Sequence, residues 1–178
     1  VVVDVQELPT HGGSLRVFAA RADAAVHPQA TPEGAARVAH LLAAEAAAGM
    51  LGDAFYSDFQ PQALRIKREL LSFLLQCKAE GFTVGAYGAA AKGNTLLNFA
   101  GVRPDLMSYV VDKNPAKQGQ YLPGSRIPIV DEAHLRAHRP DRVLILPWNL
   151  RDEVSAQLSD VRGWGGQFAV AVPRLEVF

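Results

Sequence analysis

From residue 82 onward the chain alternates short apolar runs with helix-length stretches, and this pattern restricts its fold more than any other feature. Runs at 82–87, 106–111, 127–130, 143–146 and 168–172 read as strands, while 96–100, 131–138 and 149–161 read as helices between them. Strands separated by helices of this length form βαβ units, and those units demand a parallel sheet covered on both faces. The expected fold class is α/β: a Rossmann-like parallel sheet of about five strands with helices on both faces. A helical segment and a short N-terminal strand pair precede it.

Residues 1–8 and 14–20 read as two extended segments around Pro9-Thr-His11-Gly12-Gly13. A loop of that length suits a hairpin or an edge pair, which cannot be stable alone. Residues 21–33 read as a connector. Thr31-Pro32-Glu33 then supplies an N-cap, a proline for the first helical position and a first-turn acid. That helix runs to about residue 48, with Gly49 as its stop. A second helix is expected over 62–80, because Ala63, Ile66, Leu70, Phe73, Leu74 and Cys77 share one face; Gly81 ends it. The division that follows is 1–20 tail strands, 21–81 connector and two helices, and 82–178 sheet domain.

Composition narrows the function. Eighteen basic and eighteen acidic side chains cancel, which argues against nucleic acid and a polybasic membrane anchor as partners. The one cysteine, Cys77, excludes a disulfide framework and a cysteine-built zinc site within these residues. His27, His40, His134 and His138 read as surface or helix residues, so no metal site is expected. Arg37, His40 and Glu45 interrupt the longest Ala/Leu-rich stretch, so no membrane span is expected there. No signal peptide is visible, and a cytoplasmic location is expected. The start at Val1, in a strand-like run, suggests a piece of a longer protein.

Four places carry possible chemistry. Gly85-Ala-Tyr-Gly88-Ala-Ala-Ala-Lys92-Gly-Asn94 joins a strand to a helix expected to begin near residue 94. Glycines let backbone N–H groups approach an anion, the helix dipole favours it, and Lys92 adds a point charge. Neither the Walker spacing nor G-x-G-x-x-G is matched, so a turn required only for packing is the competing reading. Asp112 ends the second strand, where an acid either holds a ribose hydroxyl or simply forms a turn. The polar loop after it carries Lys117, Tyr121 and Ser125, each placed to meet a phosphate or a base unless the loop is merely solvated. Trp148 and Asn149 follow the fourth strand: the ring can stack on a base, or it packs in the core with Asn149 as helix N-cap. No Ser/His/Asp set or carboxylate pair stands out, which points to a binding or completing domain.

Five phrases in order are Leu8-Pro-Thr-His-Gly-Gly-Ser-Leu-Arg-Val, Tyr87-Gly-Ala-Ala-Ala-Lys-Gly-Asn-Thr-Leu-Leu, Val110-Val-Asp-Lys-Asn-Pro-Ala-Lys-Gln-Gly, Leu122-Pro-Gly-Ser-Arg-Ile-Pro-Ile and Leu144-Ile-Leu-Pro-Trp-Asn-Leu. Together they resemble the C-terminal domain of the S-adenosylmethionine-dependent sugar C-methyltransferases, over nearly the whole chain. The resemblance implies a Rossmann-like domain of an enzyme that methylates carbon 3 of a nucleotide-linked, thymidine diphosphate-type 4-keto deoxysugar. It implies a zinc-binding domain and an S-adenosylmethionine-binding domain outside this chain, to which residues 1–20 would belong as tail strands. The family's Tyr-x-Glu-His stretch does not occur here, so no catalytic residue and no cofactor is expected in this chain, and methyl transfer would need the missing domains. The residues implied for the nucleotide-sugar are His11, Gly12, Gly13, Gly88, Lys92, Asn94, Asp112, Lys117, Tyr121, Trp148 and Asn149. Two other readings stand beside it: an NAD(P)-binding oxidoreductase or epimerase module, and a non-catalytic packing domain.

Overall fold

The computed structural model describes residues 1–10, 13–23, 28 and 30–178, which form two compact units, Val1–Gln60 and Pro61–Phe178. In the first unit β1 (Val2–Leu8) and β2 (Ser14–Ala19) pair antiparallel, the hairpin expected from their connecting loop. Helix α1 (Pro32–Ala47) starts where the sequence places it, with the Thr31 hydroxyl accepting from the Gly34 amide at 3.0 Å. Gly49 adopts φ +82° just past its end. The Arg37 guanidinium donates two hydrogen bonds to buried Asp4, at 2.8 and 2.9 Å, tying α1 to β1 and holding the Asp4 carboxyl below the usual carboxylate range. Val5 is the one buried apolar side chain among the described residues of this unit.

The second unit carries the sheet. Helix α2 (Phe59–Ala79) buries Leu70, Phe73, Leu74 and Cys77, the face its periodicity announces. There follow β3 (Val84–Tyr87), α3 (Ala91–Ala100), β4 (Val110–Val111), β5 (Ile129–Val130), α4 (Glu132–His138) and β6 (Arg142–Ile145). After a 3₁₀ turn at Trp148–Leu150 come α5 (Arg151–Gln157), a second 3₁₀ segment at Ser159–Trp164, β7 (Gln167–Val170) and β8 (Glu176–Val177). The strands lie in the order β5-β4-β3-β6-β7-β8. The first five are parallel and β8 pairs antiparallel with β7.

Strict alternation along the central strands builds two cores. Val84, Ala86, Leu144 and Ala169 face one side with α2 and α3. Tyr87, Val143, Ile145 and Phe168 face the other with α4 and α5. Each large side chain buried this way contributes about 1.5–3 kcal/mol over exposure. Gly85 sits on the second face, where the Tyr109 ring fills its missing side chain: a Cβ would lie 2.7 Å from that ring. The odd glycine spacing of the β3–α3 turn thus has a packing cause at its first position. The Tyr109 hydroxyl is buried without a partner, and burial pushes its pKa up to about 12.

Four expectations need correction. The sheet has six strands rather than five, because Glu176–Val177 adds an antiparallel edge. Strand β4 covers only Val110–Val111, since Leu106 to Tyr109 approach the sheet as turn and irregular chain. The expected 149–161 helix breaks into α5 between two 3₁₀ pieces. Helix α3 begins at Ala91, not near residue 94, so Lys92 lies in its first turn.

Candidate functional site

Strand order reverses between β3 and β6, and open parallel sheets place ligands at the carboxyl ends beside such a reversal. The turn leaving β3 there is Gly88-Ala89-Ala90. Gly88 is at φ +95°, and a Cβ on it would come 2.5 Å from the Pro147 ring, so the position requires glycine on both counts. Gly93 lets α3 settle onto Leu146, where a Cβ would meet Leu146 Cβ at 2.7 Å.

The N-cap of α3 is Ala90, which has no side chain to accept from the first turn. The amide of Ala90 is used by the Gly88 carbonyl, at 2.9 Å, and the first helical bond is Asn94 N to Ala90 O. The N–H groups of Ala91 and Lys92 therefore stand at the positive pole of the helix dipole without an intrahelical acceptor.

Lys92, in the first turn of α3, meets Trp148 and Asn149 from the turn after β6. The Lys92 ammonium lies 4.6 Å from the Trp148 ring centroid and donates to Asn149 Oδ1. Partial burial lowers its pKa. Asn149 is not the N-cap of α5: Leu150 holds that position without a side-chain bond, and the Asn149 amide serves Lys92 instead.

Asp112 and Lys117 flank the turn from the β4 side. Asp112 Oδ2 accepts from Ala89 N at 2.9 Å and from Lys117 Nζ at 3.0 Å, while Oδ1 accepts from Asn114 N at 2.9 Å. Lys117 Nζ also donates to the Ala89 carbonyl at 2.9 Å. With three donors on its carboxylate, Asp112 forms the turn, and Lys117 is not a free cation.

Two clefts border the turn. One, of about 440 Å³, runs along Ala89–Ala91 and is closed by Asn94, Lys117 and Tyr121. The other, of about 220 Å³, lies at the strand-order reversal between Gly88, Asp112 and Lys113 on one side and Pro147, Glu153 and Gln157 on the other. Tyr121 is largely exposed. Ser125 is fully buried with no partner for its hydroxyl, so it cannot meet a ligand, contrary to the sequence expectation. His11 and Gly12 lie outside the described residues, and Gly13, at φ +112°, belongs to the hairpin of the first unit.

Sequence reasoning passed over Asn98, whose side-chain amide donates to Asn94 Oδ1 at 3.1 Å and to the Pro123 carbonyl at 2.9 Å, bracing the wall of the larger cleft. Its i, i+4 spacing from Asn94 was the available signal. Glu153 and Gln157 were also missed; they sit on a helix whose residues gave no hint of facing a cleft. A further cavity of about 390 Å³ lies at the opposite, amino ends of the strands, where Tyr109 meets the stacked rings of His134 and His138. It is separate from the glycine turn. Among the described residues no group of three or more metal-ligating side chains occurs, and no helix is long and apolar enough to cross a membrane.

A doubly covered, mainly parallel sheet with an uncapped helix pole and a lysine at its carboxyl end defines an α/β domain. The chain belongs to the family described as the C-methyltransferase C-terminal domain, whose model matches residues 9–173. It is 36% identical over 178 residues to the C-methyltransferase NovU of Streptomyces niveus, an alignment covering 99% of this chain and 40% of that protein. The chain thus spans two fifths of the length of that curated relative.

Proposed function

We propose that this chain is the nucleotide-sugar-binding, Rossmann-like domain of a C-methyltransferase acting on a nucleotide-linked, thymidine diphosphate-type 4-keto deoxysugar. The observation that carries the reading is the uncapped pole of α3, with N–H groups at Ala91 and Lys92 that have no intrahelical acceptor and with Lys92 itself in that first turn, its ammonium over the Trp148 ring. A diphosphate matches both the dipole and the charge. The neighbouring Trp148 ring and the cleft lined by Asn94 and Tyr121 supply surfaces for the flat base and the sugar. Gly88, Asp112 and Lys117 shape the turn between them.

S-adenosylmethionine supplies the methyl group in such an enzyme. The pole described here does not fit it, because a sulfonium cation gains nothing from an ammonium and a helix N-terminus. On the family resemblance, the S-adenosylmethionine and zinc sites are assigned to other domains of a longer enzyme, to which residues 1–20 would contribute tail strands. The role of the present domain is positional. Gripping the remote diphosphate supplies binding energy for placing the reacting carbon, and that placement lowers the barrier elsewhere.

The oxidoreductase reading loses its main support. A ribose diol would have to compete for Asp112 with the three donors the carboxylate already receives, which counts against that reading. Calorimetric titration separates the readings. Saturable binding of thymidine diphosphate, weakened at least tenfold by Lys92→Ala, supports the nucleotide-sugar domain. Tight NADH binding with no response to thymidine diphosphate sinks it.

A further inference from the structure

The geometry assigns Asp112 and Lys117 a joint positioning role: together they fix the two peptide planes that precede the anion pole of α3, and Lys117 does not itself touch the ligand. The inference rests on the reading of that pole as a diphosphate site and deepens it. Ala89 contributes its N–H to the peptide plane shared with Gly88 and its carbonyl to the plane shared with Ala90. Asp112 Oδ2 takes the first at 2.9 Å, and Lys117 Nζ takes the second at 2.9 Å. The two side chains then close on each other at 3.0 Å, so both planes are held by one ion-paired clamp.

The clamp is itself anchored. Asn114 N bonds Asp112 Oδ1 at 2.9 Å, Gln118 Nε2 bonds the Asp112 carbonyl at 2.9 Å, and the Asp112 side chain is only 13% exposed. The peptide planes matter because the next N–H groups, of Ala91 and Lys92, are the free ones. Tilting the 88–90 backbone would swing them away from a common point. A rigid backbone cradle binds its anion without the entropic cost of first ordering itself. Ala89 O and Asp112 Oδ2 converge on one compact ammonium, a role that a bulkier, planar guanidinium fork does not reproduce.

The test uses Lys117→Met and Lys117→Arg in the whole chain. Affinity for thymidine diphosphate is titrated well below each variant's melting temperature, so that a loss of stability alone does not register. A positioning role predicts that both substitutions weaken binding at least tenfold, although Arg keeps the charge. If Arg stays within twofold of the parent while Met loses affinity, Lys117 contacts the phosphate directly and the inference is wrong. Unchanged affinity in both variants also overturns it. The amide resonances of Ala89, Ala90 and Ala91 in the ligand-free proteins provide an independent readout. They shift in both variants if the clamp sets the backbone, and their staying in place refutes it. Should the parent chain fail to bind thymidine diphosphate, the diphosphate reading falls, while those resonances still decide the clamp.

Discussion

Gly93→Ala puts a methyl group where α3 rests on Leu146. The new Cβ would stand 2.7 Å from Leu146 Cβ and 3.1 Å from its Cδ1, against an ordinary contact that begins near 3.4 Å. The nearest atom is bonded to the backbone of a fully buried residue following β6, so a rotamer change cannot relieve it. Overpacking of this kind costs about 1–3 kcal/mol, while alanine in place of a helical glycine returns about 1 kcal/mol. Because the clash is with a backbone-anchored atom, the upper part of the overpacking range applies, about 2–3 kcal/mol, and the net expectation is a loss of about 1–2 kcal/mol in the second unit. For a unit of this size that lowers the melting temperature by roughly 2–10 °C, measurable by circular dichroism. The strain is relieved by lifting the first turn of α3, which carries the Ala91 and Lys92 amides, so thymidine diphosphate affinity falls as well. A variant as stable as the parent, or one destabilised with unchanged affinity, would show that α3 does not depend on this contact for its placement.

Three further outcomes are expected. Lys92→Ala removes the ammonium stacked on Trp148; it weakens thymidine diphosphate binding and flattens its salt dependence while leaving the melting temperature within about 2 °C, because few buried contacts are lost. Hydrogen bonds from the Thr83 amide and hydroxyl hold the Asp141 carboxyl below the usual range, so its stabilising effect is present above about pH 4 and is lost as pH falls through the lowered value. Asp141→Asn should therefore reduce the steepness of acid unfolding. Tyr109 ionises at about 12 in the fold against about 10 when unfolded, so stability drops as pH rises between those values, and Tyr109→Phe should remove that drop at little cost near neutrality.

The layered fold was legible because its signals are local. One face of α2 repeats at helical spacing, Thr31-Pro32-Glu33 marks the start of α1, and the apolar runs of β3, β6 and β7 are bounded by turns. The start of α3 was not, since Ala-Ala-Ala-Lys carries no capping residue, and that missing cap is the feature that leaves the pole open. Strand β8 is two residues long and gains its identity only from pairing with β7. At the site, the sequence supplied the right residue types but not their partners. Its charge and its place in the loop after the second sheet strand made Lys117 a ligand candidate, and only the folded loop shows its ammonium already committed to Ala89 and Asp112. Asn149 suits a helix cap by type, yet the nearby lysine claims its oxygen.

The most direct measurement is a crystal structure of the chain soaked with thymidine diphosphate. Phosphate density is expected against the amides of Ala91 and Lys92, within reach of the Lys92 ammonium. Phosphate density bound at the His134–His138 cavity, or at any place away from the first turn of α3, would contradict the diphosphate assignment.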